Sequence, residues 1–103
     1  MEISILEAIC RNRQQGLKAA LVTIIDTRGS TPRKAGSKML VQPDGRITGT
    51  IGGGCAEAEV RLQALHAIDA GQSFVYQVNM LNDAAADEGM VCGGVMEVFI
   101  QVV

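Results

Sequence analysis

The chain has 103 residues, 48% of them hydrophobic and 19% charged, with a formal net charge of −2. That length serves one domain around a single core, and the composition is that of a globular chain rather than a disordered one. The negative balance argues against a nucleic-acid partner, and no apolar run approaches the roughly 18–20 residues of a membrane helix.

In chain order, Ser4-x-x-Glu7 has the spacing of a capping box and predicts a helix over residues 4–15. Ile5, Leu6, Ile9 and Cys10 make its apolar face, Gly16 its stop, and Cys10 reads as a small core residue. The N-terminus lacks the basic start and small-residue cleavage site of a secretory signal, so the expected location is cytoplasmic. Residues 19–27 are apolar on both alternating faces, which predicts a central strand covered on two sides. Residues 28–36, broken by Gly29, Pro32 and Gly36, form a loop. Strands over 38–42 and 46–51 flank the turn Pro43-Asp44-Gly45 as a hairpin. Gly52-Gly53-Gly54 ends the second strand, and a helix runs from Cys55 to about Ala70, closed by Gly71. Its expected buried stripe is Ala58, Leu62, Leu65 and Ile68; Glu57 and Arg61 form an i,i+4 pair; Glu59, Gln63 and His66 face solvent. Phe74, Tyr76, Val78 and Met80 alternate with polar residues in a half-buried strand, residues 81–94 are a loop, and 95–103 a last strand. Two helices and about five strands predict a single α/β domain, a mixed sheet packed with helices.

Charge is unevenly placed. All nine basic residues fall within residues 1–61, and residues 62–103 carry five acidic residues and no Lys or Arg. Arg28, Arg33, Lys34, Lys38 and Arg46 cluster just before Gly52-Gly53-Gly54-Cys55-Ala56-Glu57. A charge cluster alone reads as a solvated loop, but its place before a glycine-rich turn favours an anion site. The glycines let backbone approach a ligand, the N–H groups of a helix start suit a phosphate, and a thiol there, Cys55, is favoured as thiolate. Cys92-Gly93-Gly94 repeats the pairing of thiol and glycine. Cys55 and Cys92 supply sulfur, as soft metal ligands or as carriers of a transferable sulfur atom, and Glu57 or Glu88 handles a proton near them.

Blander readings stand beside these. A glycine triplet serves a tight strand-to-helix turn, and Cys92 serves as a buried residue near a bulge. Several specific chemistries are excluded. The glycines lack G-x-G-x-x-G spacing, and no G-K-S/T phosphate loop is present. Three cysteines without C-x-x-C spacing, and His66 as the only histidine, fit neither a secreted disulfide framework nor a zinc knuckle nor a thiol-protease pair. From the residues alone the chain is a thiol-bearing anion site for a small molecule.

Three segments closely resemble the N-terminal domain of the XdhC/CoxI family, accessory proteins of xanthine dehydrogenase and carbon monoxide dehydrogenase. They are Gly29-Ser30-Thr31-Pro32-Arg33-Lys34-Ala35-Gly36-Ser37-Lys38-Met39-Leu40-Val41, Gly49-Thr50-Ile51-Gly52-Gly53-Gly54-Cys55-Ala56-Glu57 and Cys92-Gly93-Gly94-Val95-Met96-Glu97-Val98-Phe99. The resemblance implies a maturation factor of molybdenum hydroxylases, an accessory protein rather than a dehydrogenase. Such a factor binds the molybdenum cofactor (molybdopterin) transiently, assists addition of its terminal sulfur and helps deliver it to the apo-enzyme. On this reading Cys55 and Cys92 hold or sulfurate the molybdenum, with Glu57 as a third catalytic candidate. Gly52, Gly53, Gly54, Ser30, Arg33, Lys38 and Gly93 hold the rest of the cofactor. Family members typically continue into a Rossmann-like domain, whereas residues 1–103 match the first domain alone. The expected partners are therefore an apo molybdenum hydroxylase, a cysteine desulfurase, a separate Rossmann-domain protein and a second copy of the chain in a homodimer. Two other readings stay open: a thiol redox or persulfide-carrying protein, and a non-catalytic interaction module whose Gly-Cys turns only hold the fold.

Overall fold

The computed structural model describes residues 2–31, 33–80 and 93–103. In chain order the elements are α1 (Ile3–Gln14), β1 (Ala20–Arg28), β2 (Lys38–Val41), β3 (Ile47–Gly49), α2 (Gly54–Ala70), β4 (Phe74–Asn79) and β5 (Val95–Val102). The strands form one sheet in the order β3-β2-β1-β5-β4. The two helices and five strands match the expected α/β class. The pairing is a correction: all four contacts are antiparallel, so the sheet is not mixed. β5 returns between β1 and β4 and runs against both. The long connection, α2, joins the two edge strands β3 and β4. Its 17 residues span about 25 Å at about 1.5 Å per residue, enough to cross the roughly 19 Å between outer strands of a five-stranded sheet.

Strand alternation divides β1 between two cores. Ala20, Val22 and Ile24 face α2 together with Met39, Val41, Met96, Val98 and Ile100. Ala19 and Leu21 turn to the opposite face, where Leu40 joins Ile5 and Ala8 of α1. One helix on each face explains the apolar residues on both sides of β1. Both helices end as expected on a left-handed glycine, Gly16 and Gly71. At each end the amide of the residue after that glycine reaches back five residues, Leu17 to Asn12 and Gln72 to Ala67.

The helices differ from expectation in four details. Helix α1 starts at Ile3 with Glu2 as N-cap and no side-chain cap bond. Ser4 lies inside the helix and its hydroxyl donates to the Glu2 carboxylate, so no capping box forms. Cys10 is exposed, because Ile5, Ala8 and the buried Asn12 are the residues that face the sheet. Helix α2 buries Ala56, Val60, Ala64 and Ala67, while Leu62 is 63% exposed. The large sheet residues Ile24, Met39, Met96 and Ile100 already fill the interface, and small helical side chains let the helix approach them. Lastly, Glu57 and Arg61 do not pair. Glu57 turns to the helix start, and Arg61 Nε donates to the Gly45 carbonyl at 2.7 Å, tying α2 to the β2–β3 turn.

Candidate functional site

The glycine turn is built around one carboxylate oxygen. Glu57 Oε1 accepts from the Thr50 hydroxyl at 2.6 Å and from the amides of Ile51 and Gly53 at 3.2 and 3.1 Å. The Thr50 hydroxyl in turn accepts from the Gly52 amide at 2.9 Å. The chain reaches this arrangement through left-handed φ values at Gly52, Gly53 and Gly54, which residues bearing a Cβ rarely adopt. Glu57 lies in the first turn of α2, where a carboxylate also complements the helix dipole. The result is a rigid strand-to-helix corner that presents Cys55, one residue into α2, as an exposed thiol. Thr50 was not among the sequence candidates. Its signal is a hydroxyl residue at a strand end, just before a glycine run with an acid in the following helical turn.

The basic loop meets this corner. The Ile24 amide donates to the Ser37 carbonyl at 2.9 Å and the Gly36 amide to the Ile24 carbonyl at 2.7 Å, which pins the end of the loop to β1. The pin sits where the β1–β5 register shifts between Ile24 and Asp26. Arg33 and Lys38 then line a groove of about 340 Å³ with Glu2, Ile5, Gly36, Ser37 and Thr50. Thr50 thus belongs both to the groove and to the glycine corner. The other basic residues are placed differently. Arg28 lies 3.7 Å from Asp26, and Arg46 is held 2.7 Å from Asp44 at the hairpin turn. The Arg46 amide also bonds the Asp44 carboxylate, and these contacts hold its pKa below the ordinary range.

The third segment reaches the same loop by close backbone packing. A Cβ on Gly94 would meet the carbonyl oxygens of Ser30 and Arg28 and the Thr31 methyl group. A Cβ on Gly29 would stand 3.3 Å from the Gly93 carbonyl. The Met80 amide donates to the Gly94 carbonyl at 3.0 Å, extending the β4–β5 ladder to this point. Ser30 and Gly93 are both exposed. Cys92, Glu88, Pro32 and most of the expected 81–94 loop lie outside the described residues. Among the described residues no three His, Cys, Asp or Glu side chains gather as a metal site, and no helix is long and apolar enough to cross a membrane.

A larger groove, of about 500 Å³, lies between the end of α1 and the β2–β3 hairpin, lined by Arg11, Asn12, Gln42, Asp44 and Arg46 among others. Its polar groups largely serve the fold. Asn12 donates to Gln42 at 2.6 Å, and Asp44 and Arg46 hold each other. None of the expected site residues lines it.

The chain is similar to several known proteins. A protein of Escherichia coli K12, YqeB, described as uncharacterized, is 38% identical over 97% of this chain and 18% of its own length. The molybdenum cofactor insertion chaperone PaoD of the same organism is 40% identical over 55% of this chain and 18% of its own. A probable xanthine dehydrogenase subunit of Bacillus subtilis 168 is 32% identical over 92% of this chain and 28% of its own. The chain therefore spans well under a third of the length of these relatives. The fold is also that of a Bacillus halodurans protein described as a xanthine dehydrogenase, with a TM-score of 0.72 at 23% identity over 95% of this chain and 30% of that one. The family model described as XdhC and CoxI matches residues 12–79, which hold both the basic loop and the glycine corner. By that match this chain belongs to the XdhC and CoxI family.

Proposed function

We propose that this domain binds the molybdenum cofactor during maturation of molybdenum hydroxylases and helps transfer it to the apo-enzyme. One observation carries the reading. Arg33 and Lys38 line a groove with Thr50, and Thr50 is hydrogen-bonded into the corner that presents the Cys55 thiol. The kinship with a protein named for cofactor insertion supports the choice of ligand. The cofactor, when bound, brings a thiophilic molybdenum centre and a phosphate. The residues present fit both: a cysteine thiolate is a soft metal ligand, and Arg and Lys give charge-assisted bonds to phosphate oxygens.

In this reading Cys55 holds the molybdenum end, joined by Cys92. Gly52, Gly53 and Gly54 let the ligand come close to the thiol, and Arg33 and Lys38 hold the phosphate. Ser30 and Gly93 belong to the binding surface because the Gly29–Thr31 and Gly93–Gly94 backbones pack together. Glu57 sets the position of Cys55 by fixing the corner. Sulfuration is the step such a site serves, with a cysteine desulfurase as sulfur source and an apo molybdenum hydroxylase as recipient.

The test is retention of cofactor. Protein co-expressed with cofactor biosynthesis is purified and its molybdopterin measured as the fluorescent oxidised pterin. The wild type is expected to retain it, and C55A to lose most of it while keeping its fold. Equal retention by both would remove Cys55 from the site.

A further inference from the structure

We propose that the phosphate-binding site of this domain is the groove between Arg33 and Lys38, and that the glycine turn is closed to phosphate by Glu57. The proposal deepens the cofactor reading and rests on it for the identity of the natural ligand, but not for the chemistry of the groove. Two observations meet here. The first concerns the turn. Glu57 Oε1 already receives the Ile51 and Gly53 amides and the Thr50 hydroxyl, and Thr50 receives the Gly52 amide. The amides of Ile51 and Gly53 are thus engaged by an internal carboxylate and that of Gly52 by the hydroxyl bonded to it, and a second anion at the turn would sit against the carboxylate's charge.

The second concerns the cations. Arg28 and Arg46 have carboxylates two residues away in the chain. Arg33 and Lys38 pair with no carboxylate among the described residues, and both border the same groove. Ser37 adds a hydroxyl to the wall. Glu2 is the one carboxylate there, and it accepts a hydrogen bond from Ser4. Two cations against one carboxylate select an anion. Arg33 offers the forked donor geometry that suits phosphate oxygens, and Lys38 a point charge beside it. The groove, at about 340 Å³, also leaves space beyond one phosphate. The ligand class is accordingly a phosphate monoester of a small organic molecule.

Titration of the ¹⁵N-labelled chain with inorganic phosphate, and separately with phenyl phosphate, tests this at low ionic strength. The amide shifts are expected at Gly36, Ser37, Lys38 and Thr50. The ester is expected to bind at least five-fold more tightly than the free ion. R33A and K38A should each weaken binding at least five-fold, whereas K34A, outside the groove, should leave it within two-fold. E57Q keeps an acceptor oxygen at the turn but removes its charge, and the shifts should stay in the groove. Shifts centred on Gly53–Ala56 and indifferent to R33A and K38A would overturn the proposal, as would absence of binding to the wild type. Equal affinity for ester and free ion would overturn the assignment of an ester. The cofactor reading fails separately, through equal pterin retention by wild type and C55A.

Discussion

The Glu57 carboxylate lies 3.1 Å from the amide of Gly53, four residues earlier in the chain, and closes the corner between β3 and α2. The same oxygen bonds Ile51 and Thr50, so one side chain decides how the strand hands over to the helix. An acid in the first turn and a glycine run before it make a self-contained anchor for Cys55.

Removing that anchor should destabilise the domain. E57A strands the half-buried Ile51 and Gly53 amides and is expected to cost about 1–3 kcal/mol. E57Q, which keeps an acceptor, should cost less. Urea unfolding followed by circular dichroism measures both. Equal losses would show that charge, not the hydrogen bonds, holds the corner.

The rotation of α2 can be checked by two truncations. Val60 is fully buried against the sheet, so V60A should cost about 2 kcal/mol through lost methyl burial and the space left behind. Leu62 is exposed, and L62A should stay within about 0.5 kcal/mol of wild type. The reverse order would place the helix on its other face.

Gly94 should tolerate no side chain. G94A would drive a methyl group into the carbonyls of Ser30 and Arg28, which are backbone and cannot turn aside, for an expected loss of about 1–3 kcal/mol. An unchanged melting temperature would mean that the two backbone segments separate readily.

Tyr76 offers a pH test, since it is the only tyrosine and the chain has no tryptophan. Its hydroxyl donates to Glu59 at 2.6 Å, and that hydrogen bond, with burial and the nearby negative charge, raises its pKa above the ordinary phenol value. A raised folded-state pKa means that the contact stabilises fully below the unfolded value of about 10 and that this contribution fades as pH rises through the folded value. Phenolate absorbance should titrate above that of a free tyrosine, and E59Q should bring it closer to the free phenol. An unshifted wild-type midpoint would show that the bond is not kept in solution.

Both described cysteines are exposed, so Cys10 and Cys55 should react with a water-soluble thiol reagent in the folded protein. C10A and C55A should each remove one rapidly reacting equivalent. A slow Cys10 would return it to the core position that its apolar neighbours suggested.

Much of the architecture was legible in the chain. Alternating apolar residues in 74–80 and apolar residues on both faces of 19–27 marked strands, because side chains alternate across a sheet and burial follows them. Gly16 and Gly71 marked helix ends, because a left-handed residue without Cβ ends a helix at little cost. Local pattern failed where competition between elements decides. Leu62 and Ala58 are apolar, yet α2 is apolar on several sides and the face that fits the sheet is the one with the smaller side chains. Cys10 shares a helix with Ile5 but not its buried side.

The site divides in the same way. Residue type and order alone pointed to Cys55, the glycine run, Arg33 and Lys38, because thiol chemistry and positive charge are properties of side chains wherever they lie. Only the tertiary structure decided which cations are held by a neighbouring carboxylate, that Thr50 links the groove to the corner, and that Glu57 turns back to Gly53 rather than forward to Arg61. The Asp26–Arg28, Asp44–Arg46 and Gly53–Glu57 contacts are close in sequence but depend on the backbone conformation at those positions, and the groove joins segments far apart in the chain, so spacing along the sequence decides none of them before the fold is assembled.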